Sequence, residues 1–266
     1  MIKTPLSTVI GGAGIWTPGC TVIGGQQNID QLIKSLFSDG TQGIYLNAQD
    51  AVSVSDLSSI KDLSGRNNHA AQPNATSRAT LITDPSGYKS LKFDGIDDGY
   101  VTQSIDFTGT DKVTVIAAIG KLSDAASYRL VYELSANAET NDGAFRMMSP
   151  GLNTEKGIIF GSRGTSQTSV NIPNYPAPIN LLTTVQSSIR TPLLKARVNG
   201  IQVSSIATSQ GAGNYGNYPL YIGRRGGTSF PFNGKIYALL VIGKLLDDAT
   251  TARIEKEFAK YIGVTL

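Results

Sequence analysis

The sequence predicts an all-β protein, a sandwich or barrel of short antiparallel strands, on three observations. Of its 266 residues, 29 are glycine, which exceeds the usual share of about 7%. Only 16% of the residues are charged, against a usual share of about 25%. From Gly43 to about Gly243, short β-branched or aromatic runs alternate with Gly, Asn, Asp and Pro. Such a turn-rich, weakly charged chain is typical of many short strands.

Residues 1–27 differ from the rest and are predicted to form an arm. Thr8-Val-Ile-Gly-Gly12 returns as Thr21-Val-Ile-Gly-Gly25, and Pro18 lies between the two copies. Two short extended pieces broken by Gly and Pro fit an arm that docks on another molecule. A local hairpin that belongs to the main domain is the alternative.

A short helix and connector are predicted over residues 28–42. Asn28 can cap the helix, Gln31 stands three residues later as in a capping box, and Gly40 can end it. The apolar positions follow the spacing of one helix face, and they are Ile29, Leu32, Ile33, Leu36 and Phe37.

Residues 43–266 are predicted to form one domain, because no change of composition divides them. The clearest strands are residues 112–119, 128–134, 157–160, 180–185 and 235–242. Asn199-Gly200 between two alternating runs predicts a hairpin with a type I′ turn. A closing helix is predicted over residues 247–262, capped near Asp247 or Asp248 and ended by Gly263.

Composition also excludes several classes of partner. Lys plus Arg exceed Asp plus Glu by 23 − 20 = +3, which is too small and too evenly spread to predict a nucleic-acid surface. No apolar run is long enough for membrane insertion, and no Sec-type signal is recognisable. The single Cys20 cannot form an internal disulfide and suits assembly in a cytosol. So low a charge suits a subunit packed against neighbours, and predicts a homo-oligomer.

Several motifs, in order, resemble the concanavalin A-like, laminin G-like jelly roll. They are Asp62-Leu-Ser-Gly-Arg-Asn-Asn-His-Ala70, Leu91-Lys-Phe-Asp-Gly-Ile-Asp-Asp98, Leu220-Tyr-Ile-Gly223, Phe232-Asn-Gly-Lys-Ile-Tyr237 and the closing helix. More narrowly, the chain from about Leu36 to its end resembles a family of phage and prophage virion proteins, with the segment from Gly213 to Gly227 as a late motif. The resemblance implies two antiparallel sheets packed face to face, with loops at the rims.

The resemblance also implies a function. It points to a non-enzymatic structural component of a tailed-phage virion, such as a tail fibre, baseplate or head decoration protein, assembled in the host cytoplasm. Residues 1–27 would then anchor the jelly roll to other virion proteins or to sister subunits. The domain would be displayed and could bind a host-surface glycan. The alternative on the same fold is a polysaccharide-degrading enzyme, a depolymerase.

Five residues form the candidate glycan-binding surface: Tyr175, Tyr215, Asn217, Tyr218 and Arg224. Flat aromatic faces can stack on sugar rings, and Asn and Arg can donate hydrogen bonds to sugar hydroxyls. The same residue types are also enriched in strand packing and subunit interfaces, and that alternative is left open. Arg224 and Arg225 do not predict a nucleic-acid patch, since adjacent residues of a strand point to opposite faces.

No catalytic residue is predicted. Glycoside hydrolysis needs two carboxylates that flank the scissile bond, and the Glu-x-Asp-x-Glu strand of jelly-roll glucanases is absent from the sequence. Glu133 stands alone on its strand, and Glu139 and Asp142 follow in a loop. His69, the only histidine, lies in a Gly/Asn-rich turn and is expected to bond to the backbone.

A metal site has one candidate, the cluster of Asp94, Asp97 and Asp98. Carboxylates this close in sequence are typical Ca²⁺ ligands. They are also typical turn formers whose carboxylates cap their own backbone. The turn interpretation is favoured, because no other acidic pair lies nearby in sequence to complete six ligands, and no other cofactor is expected.

Overall fold

The computed structural model describes residues 28–124, 127–151 and 156–266, together with two short strands of the N-terminal segment. Those strands, β1 (Thr8–Val9) and β2 (Ile15–Trp16), pair antiparallel. The other arm residues, including the repeated Thr-Val-Ile-Gly-Gly unit at 21–25, lie outside the described residues. The anchoring role of the arm therefore stays a prediction.

The remaining elements are two α-helices, one 3₁₀ turn and sixteen strands within the described residues. In chain order they are α1 Ile29–Ser35, β3 Gly43–Asn47, β4 Ser59–Ile60, β5 Ala70–Ala71, the 3₁₀ turn Ala75–Ser77, β6 Thr80–Thr83, β7 Lys89–Asp94, β8 Tyr100–Asp106, β9 Lys112–Lys121, β10 Leu130–Leu134, β11 Ala144–Met148, β12 Ile158–Arg163, β13 Gln167–Ile172, β14 Ile179–Ser188, β15 Leu193–Val198, β16 Ile201–Ile206, β17 Asn217–Ile222, β18 Asn233–Ile242 and α2 Asp248–Tyr261.

The strands form two antiparallel sheets, which confirms the predicted jelly-roll sandwich. Sheet I has the order β13-β12-β11-β10-β17-β8-β5-β4. Sheet II has the order β16-β15-β14-β9-β18-β7-β6, and β3 completes it. The long β18 is shared, since residues 233–236 pair with β7 and residues 238–242 pair with β3.

The main core lies between the two sheets. Alternate residues of the strands point inward, and the largest apolar side chains of this layer include Phe93, Phe107, Phe145, Phe160 and Phe232. The pattern is plain along β15, where Leu194, Ala196 and Val198 are buried and Lys195 and Arg197 are half-buried. Lys195 and Arg197 point the other way, where they pair with Asp248 and Glu255 of α2.

Both helices cover the other face of sheet II. Leu32, Ile33 and Phe37 from the first helical segment and Ile254 and Phe258 from α2 join a second apolar cluster. Their partners on the sheet are Ile116, Leu182 and Leu240, among others. Sheet II is therefore buried on both faces, and no helix covers the outer face of sheet I in the described part of the chain.

The local signals are confirmed at the helices and at the hairpin. The Asn28 side chain accepts from the backbone N–H of Asp30 at 3.0 Å, and Asp247 Oδ1 accepts from Thr250 N at 2.7 Å. The first helix ends at Ser35, earlier than Gly40, and turns fill the residues between them. Asn199 and Gly200 have φ of 49° and 76°, as a type I′ turn requires. None of the helices in the described residues is long and apolar enough to span a bilayer.

Candidate functional site

Strand register places one line of residues across the outer face of sheet I. Tyr221 lies opposite Glu133, Glu133 opposite Arg146, Arg146 opposite Gly161, and Gly161 opposite Ser169. Side chains alternate between the two faces of a strand, and the neighbours of these residues along the chain point into the core. We call this line, which runs from β17 to β13, the polar row.

An apolar row lies beside the polar row on the same face. Leu130, Met148 and Ile159 are opposite one another in β10, β11 and β12 and form a small buried cluster. Half-buried Tyr128 and Phe230 pack against it. Their rings meet edge to face, with centroids 6.0 Å apart and planes at 72°. This part of the face therefore presents an aromatic pair beside a polar line.

Four charged side chains, which we call the arginine cluster, are joined over the polar row: Glu133, Glu139, Arg146 and Arg225. Arg225 donates through Nε to Glu133 Oε2 at 3.0 Å and through Nη1 to Glu139 Oε2 at 3.3 Å. Arg146 Nη1 lies 2.9 Å from Glu139 Oε1. One carboxylate, that of Glu139, is thus shared by two guanidinium groups.

The arginine cluster combines deep burial with incomplete hydrogen bonding. The side chains of Arg146 and Arg225 are only 7% and 8% exposed, whereas that of Glu139 is 43% exposed. Arg146 Nε and Arg225 Nη2 have no hydrogen-bond partner within the described chain, and Arg146 Nη1 lies at ion-pair distance from Glu139 without making a hydrogen bond. Other described arginines also have an unpartnered nitrogen, but only these two are buried as whole residues. Buried donors without acceptors cost free energy.

Burial dominates the electrostatics of the arginine cluster. It raises the pKa of the Glu133 carboxyl, although the hydrogen bonds from Arg225 and from Ala138 N oppose that shift. Burial likewise lowers the pKa of Arg146, which Glu139 partly offsets. Glu133 is fully buried, and both of its oxygens already accept, one from Arg225 and one from Ala138 N at 2.8 Å.

Two loops position the cluster by folding onto the outer face from opposite ends of the strands. The first follows β10, where Asn137 Oδ1 accepts from Glu139 N at 3.0 Å and Arg163 donates to Glu139 O at 3.0 Å. The second follows β17, where Arg225 N donates to Ser229 O at 2.8 Å. In that turn the Arg225 guanidinium lies 4.9 Å from the centre of the Phe230 ring, within the range of a cation–π contact.

Gly161 explains how Arg146 lies flat on the sheet. A Cβ atom at Gly161 would lie 3.4 Å from both Cγ and Nε of Arg146. The bare backbone of β12 therefore forms the floor under the Arg146 side chain.

Of the five predicted glycan-binding residues, Tyr215 is a core residue. It is 1% exposed, its hydroxyl lies 2.8 Å from Ser162 Oγ, and its ring meets Phe145 edge to face. A ring enclosed in this way presents no face to a sugar. Its inclusion in the predicted surface was wrong, and the alternative of strand packing applies to this residue.

The other four predicted residues do not form one surface. Asn217 and Arg224 lie at opposite ends of β17, since Asn217 pairs with Asp106 and Ile222 with Tyr100 at the two ends of β8. At about 3.3 Å per residue, that separation is about 23 Å. Tyr175 follows β13 at the same rim as Arg224, but four strand spacings away, which is about 19 Å.

Each of these residues also has local partners. Tyr218 and Tyr175 are half-buried and pack against the main core, and Asn217 is exposed. Arg224 donates to Asp97 O at 3.1 Å and to Thr228 O at 3.0 Å, whereas Arg225 points to the arginine cluster. The two adjacent arginines lie in the turn after β17 and have separate partners.

The structure brings Asp94, Asp97 and Asp98 together, with one carboxylate oxygen of each within 4.8 Å of the others. Their hydrogen bonds are those of turn formers. Asp94 Oδ1 accepts from Ile96 N at 2.8 Å, and Asp98 Oδ2 accepts from Asp94 N at 2.9 Å. Burial raises the pKa of Asp98, with the negative charges of Asp94 and Asp97 adding to the shift. Ca²⁺ binding here stays a prediction.

His69 has the backbone role that the sequence suggested. Its Nδ1 accepts from Asp62 N at 3.0 Å. The Asp62 carboxylate in turn accepts from Tyr45 N, Ser64 N and Asn68 N at 2.8 to 2.9 Å. The Asp62-to-Ala70 motif is therefore a closed turn that holds β3.

Sequence reasoning did not identify the arginine cluster as a site. The available signal was a charged residue inside each of two otherwise apolar strands, Glu133 in Leu130–Leu134 and Arg146 in Ala144–Met148. What the sequence lacked was the strand register and the loop paths that bring Glu139 and Arg225 to them.

No protein-family model matches the chain, and no curated protein matches its sequence. Solved structures do match. The binding domain of Paraclostridial Mosquitocidal Protein 1 aligns with a TM-score of 0.60 and 13% identity over 86% of this chain and 53% of its own. A botulinum neurotoxin type C structure aligns with a TM-score of 0.58 and 13% identity over 84% of this chain and 53% of its own. Trypanosoma rangeli sialidase aligns with a TM-score of 0.57 and 12% identity over 86% of this chain and 34% of its own.

These likenesses establish the fold. At 12 to 13% identity they show a shared sandwich architecture, and one fold carries many functions. The chain spans about half the length of the two toxin chains and about a third of the sialidase chain.

Proposed function

We propose that this chain is a non-enzymatic carbohydrate-recognition domain, carried by a structural component of a tailed-phage virion, and that it binds glycan on the outer face of sheet I. The observation that carries the binding proposal is the polar row beside the aromatic pair of Tyr128 and Phe230. Sugars are recognised by aromatic surfaces together with a few well-placed polar groups. We therefore assign the proposed binding site to this face and not to the rim loops that the sequence suggested.

Several structural neighbours support recognition of a glycan by this architecture. Cell entry of botulinum neurotoxin type C depends on interaction with two ganglioside molecules. The binding domain of botulinum neurotoxin DC has been solved in complex with SialylT. The same toxin's binding domain has also been solved with rat synaptotagmin II, so a protein partner is the outcome to test against.

A depolymerase is the alternative function, and Glu133 is the residue that bears on it. Glu133 and Glu139 share Arg225, so two carboxylates do converge although they come from a strand and a loop. Glycoside hydrolysis needs carboxyl groups open to the glycosidic oxygen and to the anomeric carbon. Full burial of Glu133, with both oxygens bonded, supports a non-catalytic role. Release of oligosaccharides from host polysaccharide by the purified chain would favour the enzyme instead.

Two tyrosines of β17 provide a matched test of the binding face. Tyr221 lies in the polar row, whereas Tyr218 packs towards the main core at the other rim. On a glycan array, Tyr221→Ala should weaken binding of the full chain, and Tyr218→Ala should retain it if both variants remain folded. Loss with Tyr218→Ala alone would return the site to the rim loop. An array without any bound glycan would contradict the proposed function.

The virion part of the proposal rests on the sequence resemblance and on the separate character of residues 1–27. The arm would hold the jelly roll to other virion proteins or to sister subunits. Complementation of a phage that lacks this gene with a chain deleted for residues 1–27 should give particles without the protein. Normal incorporation of the shortened chain would contradict the anchoring role.

A further inference from the structure

We infer that the arginine cluster is a binding site for the carboxylate of an acidic sugar, and that Glu139 is a built-in occupant which the ligand displaces. This inference rests on the proposed glycan recognition and specifies its substrate class. Its observations are the two deeply buried arginines, their unpartnered nitrogens and the one exposed carboxylate that both of them share.

Guanidinium groups match carboxylates because their N–H donors form a planar fork that binds both oxygens. Here Arg146 and Arg225 approach the two different oxygens of Glu139, at 2.9 Å and 3.3 Å. The protein's own side chain therefore outlines the place of a carboxylate between the two arginines. Arg225 is fixed by Glu133 and by the Phe230 ring, and Arg146 is fixed by the floor at Gly161.

The charges of the cluster favour binding of an anion once the Glu139 side chain has turned out into solvent. Two arginines face two glutamates, so the cluster is neutral as it stands. Without Glu139, ionised Glu133 compensates only one of the two positive charges. One ligand carboxylate restores the balance, whereas a neutral sugar leaves a buried positive charge that is costly in free energy.

Glu139 is suited to leave, and the other three members are not. Its side chain is 43% exposed on a loop, while Glu133, Arg146 and Arg225 are buried in or against the sheet. Transfer of Glu139 to water leaves the two buried arginines short of one negative charge, so we expect it only when a ligand carboxylate takes its place. Arg163 holds the Glu139 carbonyl and the Asp142 carboxylate, so the backbone of the loop can stay in place while the side chain turns out.

An acidic sugar fits the surroundings better than an acidic peptide side chain. The ring of Phe230 adjoins Arg225, and Tyr128 adjoins Phe230. On the same face, exposed Ser169 ends the polar row, and Asn171, which has a polar side chain, ends the apolar row. Aromatic edges beside polar groups match a ring that carries hydroxyls as well as a carboxylate.

The test uses sodium D-glucuronate as the probe, with D-glucose and sodium acetate for comparison. Arginine Nε–H signals of the ¹⁵N-labelled full chain can be followed by NMR during titration. Glucuronate should shift the Arg146 and Arg225 signals, and glucose should not. Acetate should bind more weakly than glucuronate, since it lacks the sugar ring.

Glu139→Gln gives a readout that a purely structural ion pair would not give. Removal of the competing charge should tighten glucuronate binding, seen as a lower Kd in the same titration. Glu257→Gln is the matched control, because Glu257 pairs with Lys260 on α2, and it should leave affinity unchanged. Arg146→Lys keeps the charge but loses the fork, and should lose most of the glucuronate affinity while the backbone spectrum remains that of the folded protein.

Three outcomes would overturn the inference: no shift of either arginine signal at millimolar glucuronate, acetate binding equal to that of glucuronate, or weaker glucuronate binding by folded Glu139→Gln. Equal binding of acetate would mean an adventitious ion only. Array binding confined to neutral glycans, and insensitive to Glu139→Gln, would overturn this inference alone and leave the proposed function in place.

Discussion

At the scale of single residues, buried polar groups fix the rims of this sandwich. Asp62 accepts from the backbone N–H groups of Ser64 and Asn68 in its own turn and of Tyr45 in β3. Tyr215 closes a hydroxyl chain with Ser162 and Ser187 between the sheets. Such groups are costly unless bonded. Tyr215 was part of the predicted glycan-binding surface, and both residues belong to the internal hydrogen bonding of the fold.

Glu133 allows a pH prediction. Burial raises its folded-state pKa above the ordinary glutamate value of 4.5, so the folded chain binds this proton more tightly than the unfolded chain does. The contribution to the free energy of unfolding is therefore fully present below pH 4.5 and is lost as pH rises through the folded pKa. Urea denaturation across this pH range should show wild type losing stability relative to Glu133→Gln.

Glu257→Gln serves as the control in that series and should keep the wild-type slope with pH. A wild-type stability that rises relative to Glu133→Gln between pH 4.5 and 7 would contradict the direction of the Glu133 shift.

At the scale of elements, α2 and the first helical segment make sheet II an inner layer. Phe258 of α2 stacks on Tyr45 of β3 at a centroid distance of 6.1 Å. Arg197 of β15 holds Glu255 of α2 through two contacts of 2.8 Å. With sheet II enclosed, the outer face of sheet I is the sheet face that no helix covers within the described residues.

Phe258→Ala tests the packing of α2. Removal of a fully buried ring that contacts Tyr45 and Tyr261 should lower the free energy of unfolding by about 3 to 5 kcal/mol, measured by chemical denaturation. Lys256→Ala, at an exposed position of the same helix, should change it by about 0.5 kcal/mol or less. Equal effects of the two substitutions would show that the helix face is not part of the core.

Element prediction succeeded where the signal was local. The Asn28 and Asp247 caps, the Asn199-Gly200 turn and the apolar runs each depend on neighbours within a few residues. The prediction failed around Asn217. The aromatic and Gly residues there suggested a recognition loop, whereas residues 217–222 form a strand whose ends are far apart. Contacts such as Arg225 with Glu133 depend on register between distant strands, which no local pattern encodes.

At the scale of the whole molecule, the two apolar clusters and the candidate site come from one continuous part of the chain. The buried members of the larger clusters extend from Leu32 to Ile262. Sheet II joins the clusters, since one of its faces belongs to each. We therefore expect the sandwich with its two helices to unfold as one cooperative unit.

Deletion of residues 1–27 tests whether that unit is complete without the arm. Because residues 1–27 offer only two short extended pieces broken by Gly and Pro, the shortened chain should fold and melt within about 2 °C of the full chain, a shift that corresponds to less than about 1 kcal/mol at this size. Calorimetry at equal protein concentration gives the comparison, and repetition at a second concentration separates subunit association from intrinsic stability. A much lower melting temperature at every concentration would place the arm in the domain, as the local hairpin that the repeated Thr-Val-Ile-Gly-Gly unit also allows. If the shortened chain keeps its melting temperature but is missing from assembled particles, the arm serves anchoring and is not needed for folding.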